Sequence, residues 1–485
     1  MLVVLGGLAA LVLAALVSEY GVVLVLGGLV LGAAAVVMLL QPQVATLLTI
    51  FLLYINAPAV LTQQHGLPEL VAGAFILLLG VPILNTVIAR RERLRFDATC
   101  VLMLGFLGTL GLSALGAVDK GIAVARVQGY VFEGLLLYWL IINVIRDLTT
   151  LRRTIWTLLA AASLVSALCL YQDITGDYGQ EFGGLAYRNY DVARDGYVGA
   201  ARDKRGKFDR AQGPVNEPNR FAQILIVLLP FAVYLHRTTR APAPRLAAAA
   251  AGLMTLAGIV LTLSRGAIIA LLVMAATMMW LRWVKSSRLA LLAAGLLMAA
   301  PLFAPFYLDR VTSLTNVTNL LSTQPQQYRQ TDGAMRGRMT EMLAALYVFF
   351  DHPLVGVGPG QFAPFYVQQY SRNPDIKFRD IDEPRRAHTL YFELAAEVGL
   401  LGLGAFLTIV GVLVRQLWRA RREWLPVRPA DADLATACVL SLLAYLWTGI
   451  FLHMSYQRYY WFLLALTSAA LHIGRARHRT AEAAS

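Results

Sequence analysis

His388 stands in Arg385-Arg386-Ala387-His388-Thr389-Leu390-Tyr391, where a charged loop gives way to an apolar run. At a helix N-terminus the dipole disfavours an imidazolium. A neutral imidazole accepts a proton at physiological pH, as a general base must. The plain alternative is a surface histidine beside a membrane. Arginines occupy comparable places. Arg265 lies in Leu263-Ser264-Arg265-Gly266-Ala267, between two apolar runs with almost no loop. Arg220 lies in Asn216-Glu217-Pro218-Asn219-Arg220-Phe221, where Asn216 or Asn219 can cap a helix and Pro218 suits its first turn. Arg458 opens a further run, and Arg336 and Arg338 stand at the head of a helical pattern. Guanidinium forks bind phosphate oxygens well. This set therefore suits a phosphate-bearing lipid, with arginines stabilising the charge of a departing diphosphate. The plain alternatives are an interfacial arginine that snorkels for Arg265 and an incidental residue beside a cap for Arg220.

Glu393 and Glu397 follow His388 on the same helical pattern, four residues apart and so on one face. At ~1.5 Å per residue, Glu397 falls ~13 Å below His388. An acid at that depth must face other helices and pair with something. Tyr391 lies between His388 and Glu393 on the first turn. Asp380-Ile381-Asp382 offers two carboxylates to a divalent cation. The neighbouring Arg379, Arg385 and Arg386 make internal ion pairing the better reading, and no metal is expected. No Gly-x-x-x-x-Gly-Lys loop, Gly-x-Ser-x-Gly elbow, His-x-x-x-His pair or Cys-x-x-Cys pair occurs.

The elements that must carry these residues are apolar. The chain has 485 residues, of which 58% are hydrophobic and 15% charged, too few charges for an ordinary soluble protein. Cys100, Cys169 and Cys438 lie in apolar runs and form no disulfide framework. A membrane-crossing helix needs roughly 20 apolar residues. Fourteen runs qualify, at 2–18, 21–40, 44–62, 68–89, 97–116, 122–145, 154–171, 219–236, 246–263, 266–282, 288–307, 389–413, 434–454 and 457–473. The expected fold is an all-α, polytopic integral membrane protein, one transmembrane domain over 1–485.

Net charge is +13. Half of the 42 Lys and Arg fall in short basic segments that a fourteen-span topology puts on one side. By the positive-inside rule that side is cytoplasmic, with both termini. The basic excess is then a topology signal, and nucleic acid is not an expected partner. The opposite face carries two long loops, 172–218 and 308–388, and loops of that length are usually functional. The second holds a helical pattern, Gly337–Phe350, too short to span, which Pro353 closes.

Four segments resemble the O-antigen ligase and polymerase superfamily of bacterial membrane glycosyltransferases. They are Asn216-Glu-Pro-Asn-Arg-Phe-Ala222, Ser264-Arg-Gly-Ala267, Asp351-His-Pro-Leu-Val-Gly-Val-Gly-Pro-Gly-Gln-Phe362 and His388-Thr-Leu-Tyr-Phe-Glu-Leu-Ala-Ala-Glu-Val-Gly-Leu-Leu-Gly402. The resemblance runs from about residue 210 to 460. It implies a type-C glycosyltransferase-like fold in the bacterial inner membrane and metal-independent transfer without a cofactor. The implied donor is a glycan on undecaprenyl diphosphate, and the implied acceptor a second glycan or lipid A-core. His388 matches the family histidine. Arg220 and Arg265 match the diphosphate-binding arginines, and Arg336, Arg338 and Arg458 match less firmly. Thr389 after the histidine, glycines at 399 and 402, and fourteen runs lean toward a polymerase, with a chain-length regulator as a possible partner. Ligation onto lipid A-core or protein is the same-class alternative. Transport of a small anion or lipid-linked sugar is the alternative of another class, although inverted repeats and paired broken helices are not evident.

Overall fold

The computed structural model describes residues 41–66, 79–89, 91–187, 210–287, 333–376, 378, 380–454 and 457–482. The runs 2–18, 21–40 and 288–307, half of 68–89, and parts of both long loops lie outside the described residues. Described residues are helical or irregular, with no strand among them. In order the helices are α1 (Pro42–Tyr54), α2 (Ala57–His65), α3 (Gly80–Leu84), α4 (Ala98–Leu115), α5 (Lys120–Gly129), α6 (Leu137–Val144), α7 (Leu148–Thr175), α8 (Pro218–Ile226), α9 (Leu229–Thr238), α10 (Pro242–Leu261), α11 (Arg265–Trp280), α12 (Gly333–Asp351), α13 (Val367–Ser371), α14 (Leu390–Trp424), α15 (Pro429–Thr448) and α16 (Gln457–Glu482).

Among the described residues, seven helices or joined helices are long and apolar enough to cross a membrane. They are α4, α5–α6 through a π-helical turn at Tyr130–Leu136, α7, α8–α9, α10, α14 and α15. The number is eight if α1 and α2, bent by 54°, form one broken span. Fourteen spans are therefore not established. α11, expected to span, has 16 residues. The first long loop starts after Thr175 rather than at 172, because α7 continues until Gly176 caps it in the left-handed region. α12 covers the expected Gly337–Phe350 helix and starts four residues earlier.

α16 fills the middle of the bundle. Every residue from Arg458 to Leu471 is buried. Trp461 meets Tyr130 and Phe106, and Tyr460 meets Phe406 and Tyr445, with ring centroids 4.9–6.2 Å apart. Edge-on and tilted contacts of this kind add to what burial of the rings supplies.

The run 389–413 reads as one continuous helix, but α14 is broken at Gly399 (φ 63°, ψ −166°). A regular helix would bond Leu400 N–H to Ala396 and Leu401 N–H to Glu397. Here those groups pair with another segment. Leu400 and Leu401 donate to the carbonyls of Pro353 and Leu354 (2.8 and 3.2 Å). The carbonyls of Ala396 and Glu397 accept from Val357 and Gly358 (3.0 and 2.9 Å). Ser113 Oγ also donates to the Glu397 carbonyl (2.7 Å). Two backbones can cross this closely only without side chains. A Cβ at Gly399 would stand 2.3 Å from Leu354 O, and one at Gly356 would stand 2.4 Å from the Glu397 carbonyl. Both glycines have positive φ, which L-residues populate at a cost.

Gly399→Ala should therefore destabilise the protein by ~3 kcal/mol or more, through clash and strained φ together. Gly404→Ala, where a Cβ meets open space, should be neutral or slightly stabilising. Thermal unfolding in detergent checks the pair, and equal midpoints would remove the crossing from the stability argument.

Candidate functional site

The first turn of α14 is anchored before it begins. Thr389 is the extended N-cap residue (φ −143°) and offers no side-chain cap. Glu393, one turn in, ties down the segment that precedes the helix. Its carboxylate accepts from the Ala387 N–H (3.1 Å) and the Arg386 guanidinium (Nε at 3.0 Å, and Nη2). Arg386 Nη2 also reaches the Met454 carbonyl (2.9 Å). Leu390 N–H donates to Gly449 O (2.8 Å), and the Tyr391 hydroxyl donates to Leu446 O (2.8 Å). The connection between α15 and α16 is thus tied to the head of α14. Between these anchors His388 is held in the left-handed region, φ 49°. A residue with a Cβ pays ~1–2 kcal/mol for that, and such strain concentrates at functional sites.

His388 Nε2 lies 3.5 Å from Glu341 Oε2 on α12. Glu341 is 1% exposed, and its other oxygen lies 3.6 Å from Arg385. The ring of His453 stands edge-on to that of His388, centroids 5.5 Å apart. Burial pushes the His388 imidazole down to about 3, and the positive charges of Arg338, Arg385, Arg220 and Arg386 push the same way. Burial, followed by Arg386 and Arg220, likewise holds His453 well below the usual histidine value. Both shifts favour the neutral imidazole at physiological pH. The helix-terminus argument anticipated a neutral His388, but burial and arginines are the principal causes.

Arg220 is 2% exposed. Glu217, rather than Asn216 or Asn219, caps α8: its carboxylate accepts from the Arg220 N–H (3.1 Å) and faces Arg220 Nε at 3.6 Å. Asn216 is left-handed, and Asn219 accepts from Arg210 (2.7 Å). Arg220 Nη1 donates to Gln223, whose amide donates to Thr448 at the end of α15 (3.2 and 2.9 Å). Arg265 is the first residue of α11, capped by Ser264. A Cβ on the adjacent Gly266 would lie 3.2 Å from Phe451, two residues before His453. Arg338 acts on His388 by its charge, and Arg336 lies two residues earlier on α12.

Arg458 belongs to a different cluster. It pairs with Glu133 (3.2 Å), donates to Asn56 and lies over the Tyr459 ring. Asn56 in turn donates to Pro214 O (2.6 Å), so Arg458 braces the segment leading to Arg220. Glu397 accepts from Phe362 N–H at 3.4 Å, with its carbonyl in the crossing. Asp382 faces the exposed Arg372 at 4.0 Å. Arg385 and Arg386 pair with Glu341, Glu383 and Glu393 rather than with Asp380 or Asp382. Arg379 lies outside the described residues. Among the described residues no three His, Cys, Asp or Glu side chains gather to hold a metal.

The head of α14 therefore gathers His388, Arg220 and Arg338 of the expected set, with Arg265 beside the same connection. It adds Arg385, Arg386, Glu341 and His453, which were not singled out as site residues. His453 had a signal: it is ionisable and ends the apolar run 434–454. Glu341 had none beyond its place in a short amphipathic helix.

Residues 249–407 match the family model described as O-Antigen ligase. The match covers about a third of the chain, including Arg265, Arg336, Arg338, Glu341 and His388 but neither Arg220 nor His453. No curated protein matches the chain.

A histidine at about 3 when folded and about 6.5 when unfolded makes the unfolded chain bind the extra proton between those values. Its contribution to stability is present above 6.5 and is lost as pH falls toward 3. His388→Gln should flatten the decline of the thermal midpoint between about pH 7.5 and about pH 5. Parallel curves would show that His388 does not titrate this way.

Proposed function

We propose that this protein is a member of the O-antigen ligase/polymerase superfamily and transfers a saccharide from undecaprenyl diphosphate to an acceptor hydroxyl at the outer face of the cytoplasmic membrane, as an O-antigen or exopolysaccharide polymerase. The observation that carries the reading is a neutral His388 facing four arginine charges. The acceptor O–H gives its proton to His388 as its oxygen bonds the anomeric carbon. The bond from that carbon to the diphosphate oxygen breaks, and the diphosphate leaves with the electron pair. Arg220, Arg265 and Arg338 are the best placed to hold its charge. Arg336 and Arg458 have supporting places, Arg458 through its brace on Asn56 and Glu133.

The orientation with both termini cytoplasmic fits the ion pairs at the bundle end opposite His388. Arg146–Glu92, Arg237–Asp433 and Arg477–Asp431 all lie there. A polymerase is favoured by Thr389 after the histidine and by the spacing of Gly399 and Gly402. The description of the matching family favours ligation onto lipid A-core or protein as the second reading. A transporter is disfavoured because the charged residues gather at one end of the bundle rather than at mid-depth.

Cells lacking the protein should keep single repeat units and lose chain elongation. Full-length chains stranded on undecaprenyl diphosphate would instead establish the ligase. In purified protein, His388→Ala should abolish transfer and leave donor binding largely intact. Arg220→Ala and Arg265→Ala should each weaken donor binding by ~10–100-fold, the worth of a charge-assisted hydrogen bond. Lysine should rescue poorly, because it offers a point charge in place of a fork. EDTA should leave the rate unchanged. Full donor binding by Arg220→Ala and Arg265→Ala would remove the diphosphate clamp.

A further inference from the structure

His388 has two ring nitrogens in different surroundings. Nε2 lies 3.5 Å from a carboxylate oxygen of Glu341. Nδ1 is buried with no hydrogen-bond partner among the described residues. An ionised carboxylate only accepts hydrogen bonds. Glu341 is 1% exposed and has the Arg385 guanidinium 3.6 Å from its other oxygen, an opposite charge that favours its ionised form. A lone pair on Nε2 would face the carboxylate lone pairs and repel them. A proton on Nε2 would be attracted. A neutral imidazole carries one N–H, so a proton on Nε2 leaves the lone pair on Nδ1.

We infer that Glu341 is a positioning residue that fixes the Nε2–H tautomer of His388 and so makes Nδ1 the proton-accepting atom. The base role of His388 rests on the proposed glycosyl transfer, whereas the tautomer stands without it. Several constraints support the assignment. The left-handed backbone at His388 and the bonds of Ala387 and Leu390 on either side leave the ring little freedom. Glu341 stands on α12, which leads directly into the segment that crosses α14 at Gly399. Carboxylate and ring are therefore held by one rigid assembly. A buried acceptor without a partner costs free energy, and an acceptor hydroxyl would satisfy it on binding.

In the reaction, the acceptor O–H proton moves to Nδ1 as the oxygen–carbon bond forms and the bond to the diphosphate oxygen breaks. The diphosphate keeps the electron pair. The imidazolium then has N–H groups at both nitrogens, and the Glu341 carboxylate faces the one at Nε2. Glu341 thus stabilises the charge that appears on the ring only as the proton arrives, the kind of interaction that raises kcat rather than lowers KM.

The direct test is the ¹⁵N spectrum of the full chain, labelled at histidine, in lipid nanodiscs, with His388 assigned by comparison with His388→Gln. The expected result is a bare, imine-type Nδ1 and a protonated Nε2. The reverse pattern would overturn the inference. The second test is kinetic. Glu341→Gln keeps the shape but can present an N–H to Nε2 and invert the tautomer. It should lower kcat by up to ~10⁴, the loss when a carboxylate that orients a catalytic histidine becomes an amide. Donor KM should stay within about twofold, and Glu341→Asp should recover part of the loss. An unchanged kcat in Glu341→Gln would also overturn the inference. If the variant does not fold, the wild-type spectrum still decides. If the wild type transfers no glycan, the proposed function fails while the spectrum still reports the tautomer.

Discussion

A membrane interior offers no water to an unpaired peptide group, so a helix can break there only if another piece of protein completes its hydrogen bonds. The rest of the site depends on how α14 meets that constraint. At Gly399 it gives up two internal bonds and regains four from residues 353–358. The exchange makes two distant stretches of sequence into one rigid unit. α12, which carries Glu341 and Arg338, enters this splice at its C-terminal end. The head of α14, which carries His388 and Glu393, lies three turns above it. Gly356 and Gly399 are the places where the two main chains touch.

The charge balance of the site follows from this framework. Arg385 and Arg386 lie consecutively, yet each is taken by a different acid, Glu341 on α12 and Glu393 on α14. Arg220 arrives from α8 with Glu217 against it. The result is a cationic rim in which Glu341 and Glu393 are buried and Glu217 is partly exposed, with His388 among them. Like charges at this density repel, and an anionic ligand would relieve the repulsion. The acids hold the guanidiniums in place without cancelling them all.

Much of this was legible in the sequence. An arginine or histidine that interrupts or borders an apolar run is expensive, which drew attention to Arg220, Arg265 and His388. Other features were not legible for identifiable reasons. Hydropathy does not distinguish a straight run from one broken at Gly399, because both are equally apolar. Cap preference ranks Asn above Glu, yet Glu217 caps α8 because it also faces the Arg220 guanidinium. Arg458 has the same local pattern as Arg265, and only tertiary structure reveals Glu133 and Asn56 beside it. Glu397 draws attention in the sequence through its side chain, whereas its carbonyl is the group that the crossing uses.

The burial of α16 bears on how the chain is made. A helix surrounded by protein from Arg458 to Leu471 has little surface left for lipid and no need to be strongly apolar. It emerges from the ribosome after every described helix it packs against. Until it arrives, the aromatic residues at 106, 130, 406 and 445 have no Tyr460 or Trp461 to close on. The bundle must wait half-assembled, with its centre open, for this late segment. Biogenesis thus has a vulnerable interval before α16 arrives, when a delayed chain would expose unsatisfied interior to the membrane's quality control.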